Sequence, residues 1–465
     1  MLKFFGWPVA LVLTLAVTVG AVLAFVSLRN EREYARLVVA GDAALAASDL
    51  AGAIEAYTGA ITLRPDSMAA HLKRGLAYRQ RHEPEVALRD LRRASELDAT
   101  APRVFEWLGD VNLGLRRYAR AAEGFEQSLS LDDRQAEVHY KLAVARYREG
   151  RAQAAIEPLR RAVVLVPALA EAHYLLGLSL RDTGRTDESL SALTAATRLS
   201  PGMLAAREAR AELLQTRGDV ARAVDELMAL AALEPERPER AVAVGTAYAR
   251  AGRHDAAVLA LGRAAERFPE SALVFTALGR VWLRVAESSG DRVSLDKALA
   301  ALVRAAATGE PAADTLTWLG RARLRAGDLS GAERDLRAAI TYLPGPVEAY
   351  AALADVLVRR AELREARDVL VRYASLVAGT PAAGAVAPRI GELSMRVGDP
   401  HGAVYWYERA LVELGPSAPL LQREAEAEAS RGRHERAREI AAEGLALEPG
   451  HAGLLALKRT LDARP

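Results

Sequence analysis

The residues that could support catalysis or hold a metal ion form no complete set in this sequence. Cysteine is absent, which excludes a thiolate nucleophile, a disulfide and a cysteine metal site. His82 and His434 are each followed by glutamate, as in zinc proteases, but Val86 and Arg438 stand where that motif needs its second histidine. The sequence has no phosphate-binding loop, nucleophile elbow or dinucleotide fingerprint. We therefore expect no enzyme, no cofactor, no metal site and no small-molecule substrate.

Three of the eight histidines follow a regular spacing. His71, His139 and His173 are separated by 34 residues or twice that number, so they occupy one column of a repeating unit, near the start of its first helix. This spacing indicates a structural role for these three side chains.

A small residue that recurs about every 34 residues defines twelve repeating units from Tyr34 onward. Six consecutive intervals of 34 are followed by intervals of 41, 34, 34, 37 and 34. These marker residues are Ala53, Ala87, Ala121, Ala155, Ser189, Ala223, Ala257, Ala298, Ala332, Ala366, Ala403 and Ala437.

Two further columns keep the same register. Glycine or alanine usually stands twelve residues before the marker and a bulky residue four residues after it, as Gly109 and Phe125 do around Ala121. The spacings predict two antiparallel helices per unit, with the small residues allowing close approach. In seven units a glycine falls where the first helix should end, and we expect it to adopt the left-handed conformation. These glycines are Gly150, Gly184, Gly218, Gly252, Gly327, Gly398 and Gly432.

This pattern resembles the tetratricopeptide repeat family. The run FEWLG at 105–109, with Ala121 and Phe125, matches the family signature, and the resemblance covers residues 34–451. It implies an all-α fold: an α-solenoid, here a right-handed superhelix of about twelve helix pairs. The apolar N-terminal segment adds one transmembrane helix before it. The resemblance also implies a concave groove in which family members bind peptides or folded proteins.

Two irregularities divide the array. We predict units 1 to 10 over residues 34–377, a linker over 378–383, units 11 and 12 over 384–451, and a C-terminal cap helix over 452–465. Seven extra residues near 287–293 are expected to lengthen the turn of the eighth unit, as a tolerated loop or as a contact loop at the groove. The linker is either a plain insertion or a pivot for the last two units.

The N-terminal segment has the composition of a membrane helix. After a short tail, 1–3, residues 4–28 carry no charge, and as a helix they would span roughly 37 Å, enough for a hydrocarbon core of about 30 Å. We predict an uncleaved single-pass signal anchor in the inner (cell) membrane, because cleaved signal peptides have shorter apolar cores; cleavage is the alternative. We expect the repeats on the periplasmic face, although the basic residues after the segment, Arg29, Arg32 and Arg36, favour the cytoplasmic face.

By analogy with the family, the first helix of each unit lines the groove, and one column near its C-terminal end is arginine in six units. Such a column could bind carboxylates or only complement the helix dipoles. The six are Arg148, Arg250, Arg284, Arg325, Arg359 and Arg396.

Acidic residues lie nearer the start of the same helices, a place that the helix dipole also favours. Together the two columns would give the groove opposite charges along its two edges, which suits a polar extended peptide. The acids taken as candidate partner-binding residues are Glu106, Asp110, Glu137, Glu208 and Glu212.

The overall charge and composition restrict the function. A net charge of +2, from 62 basic and 60 acidic residues, argues against nucleic-acid binding. We predict a bacterial membrane-anchored adaptor that binds partner proteins in its groove during cell-envelope assembly, secretion or polysaccharide biogenesis. One alternative is a carbohydrate-binding export scaffold, for which only Tyr140, Tyr174 and Trp282 offer groove aromatics. The other is a cytoplasm-facing regulatory adaptor.

Overall fold

A computed structural model of the chain describes residues 6–309, 311–342 and 345–463. These residues form 25 α-helices and no β-strand, which confirms the predicted all-α solenoid. The predicted tail 1–3 lies outside them. The helices fall in two compact units, one ending at Asp219 and the other beginning at Val220. We call the first helix of each sequence repeat its A helix and the second its B helix.

Unit 1 contains five complete helix pairs and the A helix of the sixth repeat. Its odd-numbered helices are A helices. They are α1 Gly6–Ala46, α2 Leu50–Leu63, α3 Met68–Gln80, α4 Pro84–Leu97, α5 Pro102–Gly114, α6 Tyr118–Leu131, α7 Ala136–Arg148, α8 Ala152–Leu165, α9 Ala170–Asp182, α10 Thr186–Leu199 and α11 Leu204–Thr216.

Unit 2 begins with the B helix of the sixth repeat and ends with an additional helix, α25. Its helices are α12 Val220–Leu233, α13 Pro238–Arg250, α14 His254–Arg267, α15 Ala272–Ser289, α16 Arg292–Ala307, α17 Ala313–Ala326, α18 Leu329–Ala339, α19 Val347–Arg359, α20 Leu363–Leu376, α21 Pro381–Arg396, α22 Pro400–Leu414, α23 Ala418–Ser430, α24 His434–Leu447 and α25 Ala452–Asp462.

The small and bulky columns pack as the sequence predicts. Ala121 and Phe125 are fully buried. A Cβ added to Gly109 would lie 2.5 Å from the Phe125 ring, and one added to Gly391 would lie 2.5 Å from the Tyr407 ring. At these glycines the A and B helices of a pair therefore approach so closely that a side chain larger than hydrogen would clash with the opposite ring.

The turn after most A helices needs one residue in the left-handed region. All seven predicted glycines adopt it, with φ between 71° and 87°. Four other units hold a residue with a side chain at the same place, with φ between 57° and 64°, so the repeat geometry overrides the preference of these residues. They are Ser48, His82, Arg116 and Ala361.

Helix α1 runs without a break from the apolar segment into the first repeat. Its residues from Leu11 to Leu28 are exposed. Packing begins at once afterwards: Glu31 pairs with Arg64 at 2.8 Å. By length and composition α1 could cross a membrane, a property that membrane anchors and signal sequences share.

The seven extra residues of the eighth unit do not form a longer turn, which corrects our expectation. Helix α15 has 18 residues where α13 has 13, and α16 has 16 where α14 has 14. Only Gly290 and Asp291 separate α15 from α16. Good helix-forming residues such as Ala286 and Glu287 explain why the insertion continues the helix.

The second irregularity is partly helical, and a further helix follows the last repeat. Helix α21 begins at Pro381, inside the predicted linker, and Tyr373 before the linker shares one hydrophobic cluster with Ile390 after it. In α25, Leu454 and Leu461 are buried. Leu454 packs against Leu421 and Ile440 of the last repeat.

Candidate functional site

The predicted arginine column lies on the A helices, at or near their C-terminal ends, and all six side chains are exposed. Arg359 donates a hydrogen bond from Nη1 to the Leu324 carbonyl oxygen at 3.1 Å. Among the described residues, Arg148, Arg284, Arg325 and Arg396 have no acid within the 4.0 Å of an ion pair. The column is therefore available to a ligand at several positions.

Three of the predicted acids of unit 1 are instead bound by a lysine that sequence reasoning overlooked. Lys141 Nζ lies 2.8 Å from Glu106 Oε1, 3.1 Å from Asp110 Oδ2 and 3.2 Å from Glu137 Oε1. The Lys141, Glu106 and Asp110 side chains are only 14% to 19% exposed. Burial opposes the charge of Lys141, but hydrogen bonds to Glu106 and Asp110 prevail and raise its pKa. Burial raises the pKa of Asp110 in spite of Lys141.

The other two predicted acids are more exposed. Glu212 lies 3.4 Å from Arg181 Nη1 and keeps 71% of its side chain exposed. Glu208 is exposed on α11. Burial raises the pKa of Tyr174, and the negative charge of Glu208 adds to this rise.

Ion pairs of one kind join neighbouring A helices in both units. A cation in the middle of one A helix binds an acid of the preceding A helix, 31 residues earlier in three cases and 34 residues earlier across the three-residue irregularity. The pairs are Lys73–Asp42 at 2.5 Å, Lys141–Asp110 at 3.1 Å, Arg423–Glu392 at 3.6 Å, and Arg389–Asp355. Because these acids are already paired, they do not neutralise the charges of the arginine column.

Two cavities open between A helices of unit 2, and four of the six predicted arginines line them. The first, of about 110 Å³, lies between α13 and α15 and includes Arg250 and Arg284. The second, of about 320 Å³, lies among α15, α17 and α19 and includes Arg325 and Arg359. Four arginines of the predicted column therefore lie beside cavities in unit 2.

The charge around these cavities is predominantly positive. Three of the four lining carboxylates have partners: Asp314 lies 3.5 Å from Arg280, Glu287 lies 3.1 Å from Arg321, and Asp355 pairs with Arg389. The six guanidinium groups and four carboxylates that line the cavities are those of Arg250, Arg280, Arg284, Arg321, Arg325, Arg359, Glu287, Asp314, Glu348 and Asp355.

Several aromatic side chains of the A helices, among them Trp282 and Trp318, are covered by cations. The guanidinium carbons of Arg280 and Arg321 lie 4.7 and 4.3 Å from the centre of the Trp318 ring. Trp318 Nε1 donates to Asp314 Oδ1 at 2.8 Å. Lys297 lies 4.4 Å from the Trp282 ring. These contacts hold the cations in place and occupy the ring surfaces.

The three periodic histidines make one recurring structural contact. His71, His139 and His173 each place Nε2 against the carbonyl oxygen six residues earlier, at 3.1, 2.9 and 3.0 Å. Arg207 occupies the same column and donates from Nε to the Pro201 carbonyl at 2.7 Å. The side chains at this repeat position therefore stabilise the turn between repeats. The described residues contain no cluster of histidines and acids that could hold a metal ion.

The structure thus adds Lys73, Lys141 and Trp318 to what the sequence indicated. The signal that could have found the lysines is an acid followed by a cation 31 residues later, but it has meaning only once neighbouring A helices are known to touch in that register. The contact of Arg280 with Trp318 joins two repeats and has no local signal, whereas Arg321 is a neighbour of Trp318 on the same helix.

Comparison with known proteins agrees with this architecture. Residues 38–102, 72–129, 108–170 and 174–241 match a model of the tetratricopeptide repeat, and residues 243–271 match a second one. A curated Mycosarcoma maydis protein, small glutamine-rich tetratricopeptide repeat-containing protein 2, is 31% identical over 97 residues. That match spans 21% of this chain and 28% of the relative.

Solved structures of helical-repeat proteins are also similar. YrrB, described as a TPR protein with an unusual peptide-binding site, is 25% identical, with 40% of this chain and 95% of that one covered and a TM-score of 0.37. The Cut9–Hcn1 structure is 14% identical, with 92% and 96% covered and a TM-score of 0.40.

Stacked helix pairs with a charged A-helix surface define a helical-repeat protein of the interaction-scaffold class. The repeat matches make the assignment specific: the chain belongs to the tetratricopeptide repeat family. Proteins with these repeats bind other proteins or peptides.

Proposed function

We propose that this chain is a membrane-anchored scaffold that binds partner proteins along the A helices of unit 2. The observation that carries the proposal is the arginine column, because Arg284 and Arg325 stand beside two cavities without an acidic partner among the described residues. Exposed guanidinium groups beside a partly apolar surface suit carboxylate-bearing peptide segments. The proposal assigns the chain no reaction of its own.

The anchor is the apolar part of α1, within residues 4–28. Tethering would raise the local concentration of captured partners at the membrane. We propose a role in bacterial envelope assembly, secretion or polysaccharide biogenesis, with the repeats on the periplasmic side. A reporter fused after Pro465 tests the side: activity of a cytoplasmic reporter alone would support a cytoplasm-facing regulatory adaptor instead.

Binding of carbohydrate is less well supported. Sugar rings stack on open aromatic faces, whereas cations lie over the rings of Trp318, Trp282 and Trp107, the last with Arg79 at 4.2 Å. Tight, saturable binding of a polysaccharide to the purified protein would favour the export scaffold over the adaptor.

Partner capture in cells tests the scaffold proposal. In the full chain, Arg250, Arg325 and Arg359 are changed together to glutamate, and crosslinked partners are identified by mass spectrometry. We expect the partners to be lost while helical content stays unchanged. The matched control reverses three exposed arginines of B helices, Arg263, Arg364 and Arg372. Equal capture by both variants would contradict the proposal.

A further inference from the structure

The smaller cavity of unit 2 has the lining of a pocket for one apolar side chain. Val242, Ala249, Ala277 and Val281 supply its apolar surface. Its buried polar group is already used, because the Thr276 hydroxyl is 2.8 Å from the Thr315 hydroxyl and hydrogen-bonded to it. A side chain without polar atoms can therefore enter without leaving that buried hydroxyl unpaired.

The size of this cavity selects among apolar side chains. Its volume is about 110 Å³. A dry protein cavity of roughly 150 Å³ accepts a benzene molecule. The pocket therefore suits a branched aliphatic side chain better than an aromatic ring. Leu273 lies at its edge and is 45% exposed, so apolar surface continues from the pocket to the outside.

The arginine column continues from this pocket in one direction. Arg284 lines the pocket, Arg325 is on the next A helix, α17, and Arg359 is on the one after, α19. Packed helices lie about 10 Å apart, and an extended chain advances roughly 3.3 Å per residue. One repeat therefore corresponds to about three residues of an extended ligand.

Resting on the proposed scaffold function, we propose that unit 2 binds an extended acidic segment of a partner protein that carries one aliphatic anchor residue. The anchor side chain occupies the pocket between α13 and α15. Carboxylates about four and seven residues away from it contact Arg325 and Arg359. Arg284 binds a carboxylate next to the anchor.

Peptide binding to the full chain in detergent tests this register. The probe is a fluorescein-labelled peptide of fifteen residues with leucine at its centre and glutamates one, four and seven residues away on both sides, so that either chain direction fits. One control peptide has serine for the leucine, and another has its glutamates moved by one residue. We expect the serine peptide to bind about tenfold more weakly, because burying a leucine side chain contributes about 1.5–3 kcal/mol. The peptide with moved glutamates should bind about threefold more weakly, because ion pairs with exposed arginines contribute less.

Variants of the protein locate the two contacts separately. Thr246→Trp fills the pocket mouth and should weaken the leucine peptide about tenfold but not the serine peptide. If Thr246→Trp disturbs folding, Leu273→Ser is the alternative variant, because it alters only an exposed residue at the pocket edge. It should also weaken binding of the leucine peptide but not of the serine peptide. Arg325→Gln with Arg359→Gln should weaken both peptides, whereas Arg364→Gln on α20 should weaken neither.

The two proposals fail in different ways. If leucine and serine peptides bind alike, or if no peptide binds, the anchored acidic segment is wrong even when charge reversal still removes partners in cells. If charge reversal leaves capture in cells unchanged, the scaffold proposal itself fails.

Discussion

At the scale of single residues, the most unusual group is a glutamate buried in the last repeat. Glu424 is 4% exposed. Burial, reinforced by neighbouring acids, raises its pKa to about 7 from an ordinary value of 4.5. The charged groups that act on it come from its own helix and from α22 and α24: Glu428, Glu408, Arg436 and Glu443.

This raised pKa makes the stability of the last repeat depend on pH. The folded chain keeps the proton of Glu424 up to about pH 7, whereas the unfolded chain loses it near pH 4.5. Between these values the folded state binds more protons, so stability falls as pH rises and then levels off.

We predict that Glu424→Gln, which imitates the protonated acid, stabilises α23 and α24 at pH 8 by roughly 1–3 kcal/mol and hardly at pH 4.5. Amide hydrogen exchange of variant and parent at each pH measures this. Glu435→Gln, at a glutamate side chain that is 87% exposed, is the control. A gain of the same size at both pH values would show that Glu424 titrates normally.

At the scale of helices and turns, the sequence predicted most of what the structure shows. Helix pairs, left-handed glycines and the close contact of Gly109 with Phe125 follow from a 34-residue pattern, because each depends on local spacing. The extension of α15 was not predicted, since a seven-residue insertion can lengthen either a turn or a helix. The contact of Arg280 with Trp318 depends on packing between repeats and has no such local pattern.

The turns offer a test of how strongly the repeat imposes its geometry. Ala361 has a φ of 64° at the place where Gly398 has 80° in the next unit. A residue with a side chain adopts this conformation at a cost of about 1–2 kcal/mol relative to glycine. Glycine loses more conformational freedom on folding, however, and this offsets part of the difference.

We therefore expect Ala361→Gly to stabilise α19 and α20 by about 0.5–1 kcal/mol. The reciprocal change, Gly398→Ala, should destabilise its own repeat by a similar amount. Hydrogen exchange resolved by helix measures both, because stability in repeat arrays is largely local. Destabilisation by Ala361→Gly would show that the alanine methyl group contributes more than its strained backbone costs.

At the scale of the whole molecule, the array was predictable from the sequence, but its connection to the apolar segment was not. The sequence places a boundary between Leu28 and Tyr34, where apolar residues give way to charged ones. Charged residues such as Glu31 and Arg32 nevertheless continue a helix well. Helix α1 therefore remains unbroken, and the Tyr34 hydroxyl reaches Ser67 Oγ at 2.6 Å.

An unbroken α1 has a consequence for a membrane-inserted chain. Tyr34 is six residues beyond Leu28, or about 9 Å along the helix. The turn between α2 and α3, which contacts Tyr34, should then lie near the lipid headgroups. Because α3 has 13 residues, the turn at its other end should lie roughly 20 Å farther away.

Two fluorescent labels can measure this arrangement, because the chain has no cysteine of its own. We expect a label at Asp66→Cys to be quenched by headgroup-linked quenchers in vesicles, and one at Arg81→Cys to be quenched weakly. Four glycines inserted between Arg29 and Asn30 should remove the difference, since they interrupt the helix. Equal quenching without the insertion would show that the first repeat moves freely against the membrane, so that a scaffold of this kind would capture partners on a flexible tether.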